Sequence, residues 1–192
     1  MQNQFFKIAC YFEASLVVIA VSVGWLFDLN PLADLYFSEA AIVNGVLATL
    51  PLLILFFGMQ QLPHPAFKNI RNLLQESLGQ SLQGVHWTDL LILAGLAGLG
   101  EEVLFRGLMQ SGFEQAWGFD VGLIASSVVF AFAHAVTPLY AVLALLISLY
   151  LGLSLDYDGE RSLLTPIVIH GLYDFVAFLV IVNNTRKDNQ GS

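Results

Sequence analysis

Charge is scarce in this chain of 192 residues: 11% are Asp, Glu, Lys or Arg, 57% are hydrophobic, and mean hydropathy is +0.72. A soluble domain carries about twice that share of charge, so the composition excludes one and points to an integral membrane protein. Cysteine is scarcer still. Cys10 is the only one, which rules out an intrachain disulfide and leaves it as a small lipid-facing or core hydrophobe. The seven Lys and Arg residues form no basic run against a net charge of −8, and no nucleic-acid signature is present. The first apolar run follows a single Lys7 and lacks a small-residue cleavage pattern. With further apolar runs after it, it reads as a retained helix and not a cleaved signal.

What the sequence does have is long apolar runs. Phe5 to Phe27, Ala40 to Met59, Asp89 to Leu108, Val121 to Ala135, Pro138 to Leu155 and Leu163 to Val182 are spans near the roughly 17–25 residues that a bilayer requires. The fourth is short, and is expected either to start as early as Trp117 or to tilt against its neighbours. The expected fold is all-α, a polytopic bundle of six transmembrane helices. It forms one membrane domain over residues 1–192: two N-terminal spans in 1–59, a connection over 60–88, a four-span core in 89–182 and a polar tail at 183–192. Within the connection, Pro63-His64-Pro65 is a breaker, and Leu62, Phe67, Ile70, Leu73, Leu74 and Leu78 recur at helical spacing. Such a helix lies in the membrane interface or packs as a solvated connector on its own protein.

Basic residues set the expected orientation. With a cytoplasmic N-terminus, Lys7, Lys68, Arg71, Arg186 and Lys187 fall on the cytoplasmic side and only Arg161 falls outside. Six spans return the C-terminus to the cytoplasm. The outer side then holds Asp28, Asp34, Glu39, Glu114, Asp120, Asp156, Asp158 and Glu160, which accounts for much of the negative charge without a cationic partner.

Ionisable groups inside the spans are the exception that needs explaining, because each costs roughly 2.5–3.5 kcal/mol on insertion scales. They are Glu101, Glu102 and Arg106 in the third span, His134 in the fourth, His170 and Asp174 in the sixth, and a lone Glu13 in the first. Glu102 with Arg106, Phe130 with His134, and His170 with Asp174 are each spaced i to i+4, so each pair shares a helix face. Glu102 and Arg106 can neutralise one another, which leaves Glu101 as the candidate base. Helical rise puts Glu101 and His170 about 10 Å from the outer ends of their spans, with His134 deeper, so the three can meet in one cavity. Gly95, Gly98 and Gly100 allow tight helix contact just before the acidic pair. His64 and His86 lie outside the spans and read as ordinary loop or interface residues.

Glu101-Glu102-x-x-x-Arg106, Phe130-x-x-x-His134 and His170-x-x-x-Asp174, in that order on successive apolar helices, resemble the motifs of the CAAX prenyl endopeptidase type II family, also called the CPBP family. The resemblance covers roughly residues 89–182. It implies a glutamate-dependent intramembrane endopeptidase of a bacterial cell membrane, needing no metal or other cofactor. In the roles it implies, Glu101 activates a water with help from His134, Glu102 and Arg106 hold Glu101 in place, and His170 with residue 174 stabilises the oxyanion. Phe130 is a cavity wall. Eukaryotic prenyl proteases carry Asn where Asp174 stands here. An ionised Asp only accepts hydrogen bonds, so it would orient His170 or keep it charged unless it is itself protonated. Bacterial members of the family also show Asp there, so the fold transfers more firmly than a prenylated substrate. The expected partners are the lipid bilayer and a peptide substrate, whether a prenylated tail, a leader or bacteriocin-type peptide, or a membrane-protein segment. Oligomeric state is left open.

Other chemistries fit less well. Glu101, His134 and His170 form a two-histidine, one-carboxylate set compatible with zinc, yet the helical H-E-x-x-H signature is missing. Ser126 and Ser127 lack the glycine-flanked context of a serine intramembrane protease, and Tyr173-Asp174 with Gly98-Leu99-Gly100-Glu101 reverses the order of an aspartyl one. A transporter would use the same groups as a proton relay, but no internal repeat is evident. A scaffold or immunity protein on the same fold is the rival from another class. On a structural reading, Glu102 and Arg106 would merely lock packing and His134 would be a core imidazole bonded to a carbonyl. The discriminating observation is whether Glu101, His134 and His170 line one cavity.

Overall fold

The computed structural model describes residues 2–157 and 159–191. Asp158, assigned above to the outer side, lies outside the described residues, as do Met1 and Ser192. All regular elements among the described residues are helical, so the all-α membrane bundle expected from the apolar runs is the fold.

Seven helices make it up. α1 is Gln2–Leu26, and α2 is Glu39–Gln61, started by Ser38, whose hydroxyl accepts the Ala41 N–H. α3 covers 65–82, with a wider π-helical turn at Gln75–Gly79. α4 covers 87–117 as α-helical Trp87–Glu102, π-helical Val103–Gln110 and α-helical Ser111–Trp117. α5 is Phe119–Ala133, α6 is Pro138–Leu153 and α7 is Leu164–Gly191. His64 and His86 turn out to be N-caps: their Nδ1 atoms accept the N–H groups of Ala66 and Thr88 and so start α3 and α4.

Four helical stretches are long and apolar enough to cross a membrane: Gln4–Leu26, Glu39–Gln61, Pro138–Asp156 and Leu164–Gln190. α4 differs because it carries the charge cluster and changes pitch after Glu102. α5, at 15 residues, rises about 22 Å, well short of the roughly 30 Å of a hydrocarbon core. It does not extend back to Trp117, which instead ends α4, with Gly118 at φ 87° making the turn between them. α5 and α6 therefore form a short hairpin beside α4. Its tight bend at 134–137 falls level with the middle of α4, and irregular backbone is tolerated there because it borders a cavity.

Close helix approach sets the level of the site. At Gly98 a Cβ would stand 2.8 Å from Gly171 N and 2.9 Å from Ile167 O of α7, while at Gly100 it would run into the Glu13 carbonyl of α1. Gly95 is different from the expectation. It faces open space and makes no such contact of its own. Replacing Gly100 by Val should therefore separate α1 from α4 and cost about 1–3 kcal/mol. Thermal unfolding in detergent reads this directly, with Gly95→Ala as the control; equal midpoints for the two variants would show that the α1 contact carries no weight.

α3 packs on its own protein. Leu78 packs against a cluster of Leu82, Leu93 and Val182, and the lone Cys10 is half-buried against the same cluster. Charge segregates between the two ends. At one, Arg71 donates to the Met59 and Leu62 carbonyls, and Arg186 donates to those of Gln83 and Val85. At the other, Arg161 gathers Asp34, Glu114 and Asp156 at 3.0, 2.8 and 3.2 Å, tying the connection after α1 to the end of α4 and the turn after α6.

Candidate active site

The widening of α4 begins directly after Glu102, and it aims the next polar side chain, Arg106, into the protein. Glu102 and Arg106 are 0% and 1% exposed, with Nη1 donating to Glu102 Oε1 at 2.9 Å. The i to i+4 pairing read from the sequence is thus real, although the backbone bearing Arg106 is not the uniform α-helix that reading assumed. Arg106 is anchored a second time: Nη2 donates to both the carbonyl and the hydroxyl of Ser148 on α6, at 2.9 and 2.8 Å. Its guanidinium also lies 5.0 Å from the Phe130 ring centroid. Ser148 has no signal in the sequence, being one serine in an apolar helix.

His170 meets the same carboxylate. Because a carboxylate only accepts, His170 Nδ1 is the donor to Glu102 Oε1, at 2.7 Å. Its other nitrogen, Nε2, lies 3.5 Å from Asp174 Oδ2. The link between Glu102 and His170 joins residues 68 positions apart and was invisible to spacing arguments, which paired His170 with Asp174 alone.

His134 ends α5. Its Nδ1 donates to the Phe130 carbonyl at 2.9 Å, so the structural reading of this imidazole is correct as far as it goes. That bond fixes the ring and turns Nε2 toward Glu101 Oε2, 3.5 Å away. The Glu101 oxygen is buried and has no hydrogen-bond partner, and 3.5 Å is an ion-pair distance rather than a formed bond. Phe130 stacks on His134 with centroids 4.2 Å apart and meets Phe105 edge-on at 4.9 Å, packing that holds the imidazole plane.

Glu101, His134 and His170 line one cavity of about 540 Å³, together with Asp174 and Phe130. The walls are otherwise mostly apolar. Two tyrosines, Tyr140 and Tyr173, join the lining, as does Glu13, whose Oε2 is buried without a hydrogen-bond partner. Glu13 had a signal in the sequence, a single acid in a long apolar run, but nothing to connect it with α4. Along α7 the cavity reaches from His170 to Ile181, a rise of about 16 Å, and at its far end are Gln60 and Arg71. A cavity of this shape accepts an extended chain segment, with the acid–imidazole cluster toward one end. Among the described residues, no group of three or more His, Cys, Asp or Glu is arranged to hold a metal ion.

Fold and site define a helical integral membrane protein with an embedded cavity where three carboxylates, Glu13, Glu101 and Asp174, and two imidazoles converge. Residues 83–176 match the model of the family described as type II CAAX prenyl endopeptidase Rce1-like. The matched segment contains all of Glu101, Glu102, Arg106, Phe130, His134, His170 and Asp174, whereas Glu13 lies outside it. That match supports a CAAX-type intramembrane protease at the level of the family. No curated protein and no solved structure matches the chain.

Proposed function

We propose that the chain is an intramembrane endopeptidase that hydrolyses a peptide bond with a water activated by Glu101. The observation that carries this reading is the meeting of Glu101 Oε2 and His134 Nε2 at 3.5 Å on the wall of a cavity, with the other His134 nitrogen committed to a carbonyl. Two basic atoms so placed suit one water: Glu101 takes a proton as the water oxygen attacks the carbonyl carbon, and His134 Nε2 receives that proton from Glu101 and hands it to the amine as the C–N bond breaks. Glu102 and Arg106 act through others. They are positioning residues, Arg106 fixing Glu102 and Glu102 fixing the plane of His170.

Protonated on both nitrogens, His170 donates from Nδ1 to Glu102 and presents Nε2–H to the oxyanion, a donor typically worth roughly 2.7–4 kcal/mol. Asp174 Oδ2, 3.5 Å from that nitrogen, stands at ion-pair distance and favours the charged imidazole. The chemistry uses no cofactor. The substrate is a peptide segment lying along the cavity from the membrane, and the proposed topology is six spans with both termini cytoplasmic, matching the gathering of Lys68, Arg71, Arg186 and Lys187 at one end of the bundle.

The test is a comparison of membrane and secreted peptides from cells making the wild type or Glu101→Ala at equal levels. Peptides present only with the wild type are expected. An identical profile would favour the rival reading, a scaffold on the same fold. With purified protein, cleavage is expected to survive strong chelators; loss on chelation and recovery with zinc would transfer the water to a metal set built on Glu101, His134 and His170.

A further inference from the structure

A second hollow lies at the basic end of the bundle, a groove of about 460 Å³ bordered by α2, α3 and α7. Lys68 and Arg71 come from α3, and Lys187 comes from α7. Three of the chain's seven Lys and Arg residues thus face one groove, although the whole chain carries a net charge of −8. Asp188 is the one acid in the lining, and it accepts a hydrogen bond from Gln75. Among the described residues, Lys68 and Lys187 make no ion pair or hydrogen bond. Arg71 is held in place by Nη1 donating to the Met59 and Leu62 carbonyls at the end of α2. That leaves its remaining N–H groups for something else.

The rest of the lining narrows the ligand. Phe57, Val180 and Ile181 supply an apolar wall, and Phe57 is exposed on the outside of the bundle. Asn72 and Asn184 add amide donors. A small inorganic anion would use the cations and leave the apolar wall without a partner. An amphiphile with an anionic head uses both. We propose that this groove binds the phosphodiester headgroup of an anionic membrane lipid, with the phosphate between Lys68, Arg71 and Lys187 and the start of the acyl chains along Phe57 and Val180. The position suits it, since basic pockets between membrane helices are where such headgroups are held. Gln60, Arg71, Leu74 and Ile181 line this groove and the large cavity alike, so the bound lipid would brace a wall that the two hollows share. The inference does not depend on the peptidase reading.

The experiment compares wild type, Lys68→Gln/Lys187→Gln and Lys7→Gln in nanodiscs of phosphatidylcholine with or without phosphatidylglycerol. Native mass spectrometry counts the lipids retained, and thermal unfolding is followed in parallel. The wild type is expected to retain phosphatidylglycerol in preference and to unfold at higher temperature in its presence. The double variant should lose roughly 25-fold of that preference, about fivefold for each lysine. Both lysines are exposed and unbonded, so folding should survive the change. Lys7 lies outside the groove and its variant should keep the preference. Three results would overturn the proposal: equal preference in wild type and double variant, an equal loss in Lys7→Gln that reveals only a diffuse charge effect, or inorganic phosphate in neutral lipid stabilising the wild type as well as phosphatidylglycerol does.

Discussion

Glu101→Gln is expected to lower kcat by roughly 10²–10⁴-fold while leaving the folded protein intact, the range for removal of a general base. The side chain is nearly isosteric and Glu101 Oε2 makes no hydrogen bond in the fold, so the contact weakened with its charge is the 3.5 Å one to His134. His134→Ala should cost a comparable factor. The two should not multiply, because both act on one water: the double variant is expected to be no slower than the worse single one by more than about threefold, as found for residues that act as a unit. Single-turnover cleavage of a peptide identified from cells, measured beside thermal unfolding, decides it. Full activity in Glu101→Gln would remove the carboxylate from the chemistry, and strictly multiplicative losses would mean that Glu101 and His134 serve separate steps.

Arg106→Met should be the most damaging change to stability. It leaves Glu102, fully buried, without its cation, and breaking one partner of a buried pair costs about 3–5 kcal/mol. Replacing both, as Glu102→Leu with Arg106→Met, removes the stranded charge and should restore more than half of that loss in a detergent unfolding assay. Activity should not return with stability, because His170 Nδ1 then has no carboxylate to hold it. A double variant no more stable than Arg106→Met would show that the pair is not energetically coupled. One that recovers both stability and activity would remove Glu102 from the positioning of His170.

The parts of the site that could be read from the sequence are those set by spacing on one helix. Glu102 with Arg106, Phe130 with His134, and His170 with Asp174 were each expected on one face, and each pair makes contact. The apolar runs gave helices in the right places because a bilayer leaves the backbone few alternatives. Contacts between helices were another matter. Nothing in the spacing of residues predicts that Ser148 holds Arg106, or that Glu102 reaches His170, since these depend on how α6 and α7 lean against α4. The π-helical stretch at Val103–Gln110 was equally hidden: an apolar sequence with one arginine is compatible with either pitch, and the choice follows from where the guanidinium must go. Glu13 carried a visible cost but no visible partner, and its place became clear only once Gly100 brought α1 against α4.

That last contact bears on how separable the matched segment is. Residues 83–176 carry the motif side chains, yet the cavity is also lined by Phe12 and Glu13 of α1 and by Leu52 and Phe56 of α2. The heritable motif is smaller than the physical pocket. A graft of 83–176 behind foreign N-terminal helices would transplant Glu101, Asp174 and both imidazoles but leave the cavity without the wall that α1 and α2 supply. Selectivity could then diverge through α1 and α2 alone, with the chemistry untouched.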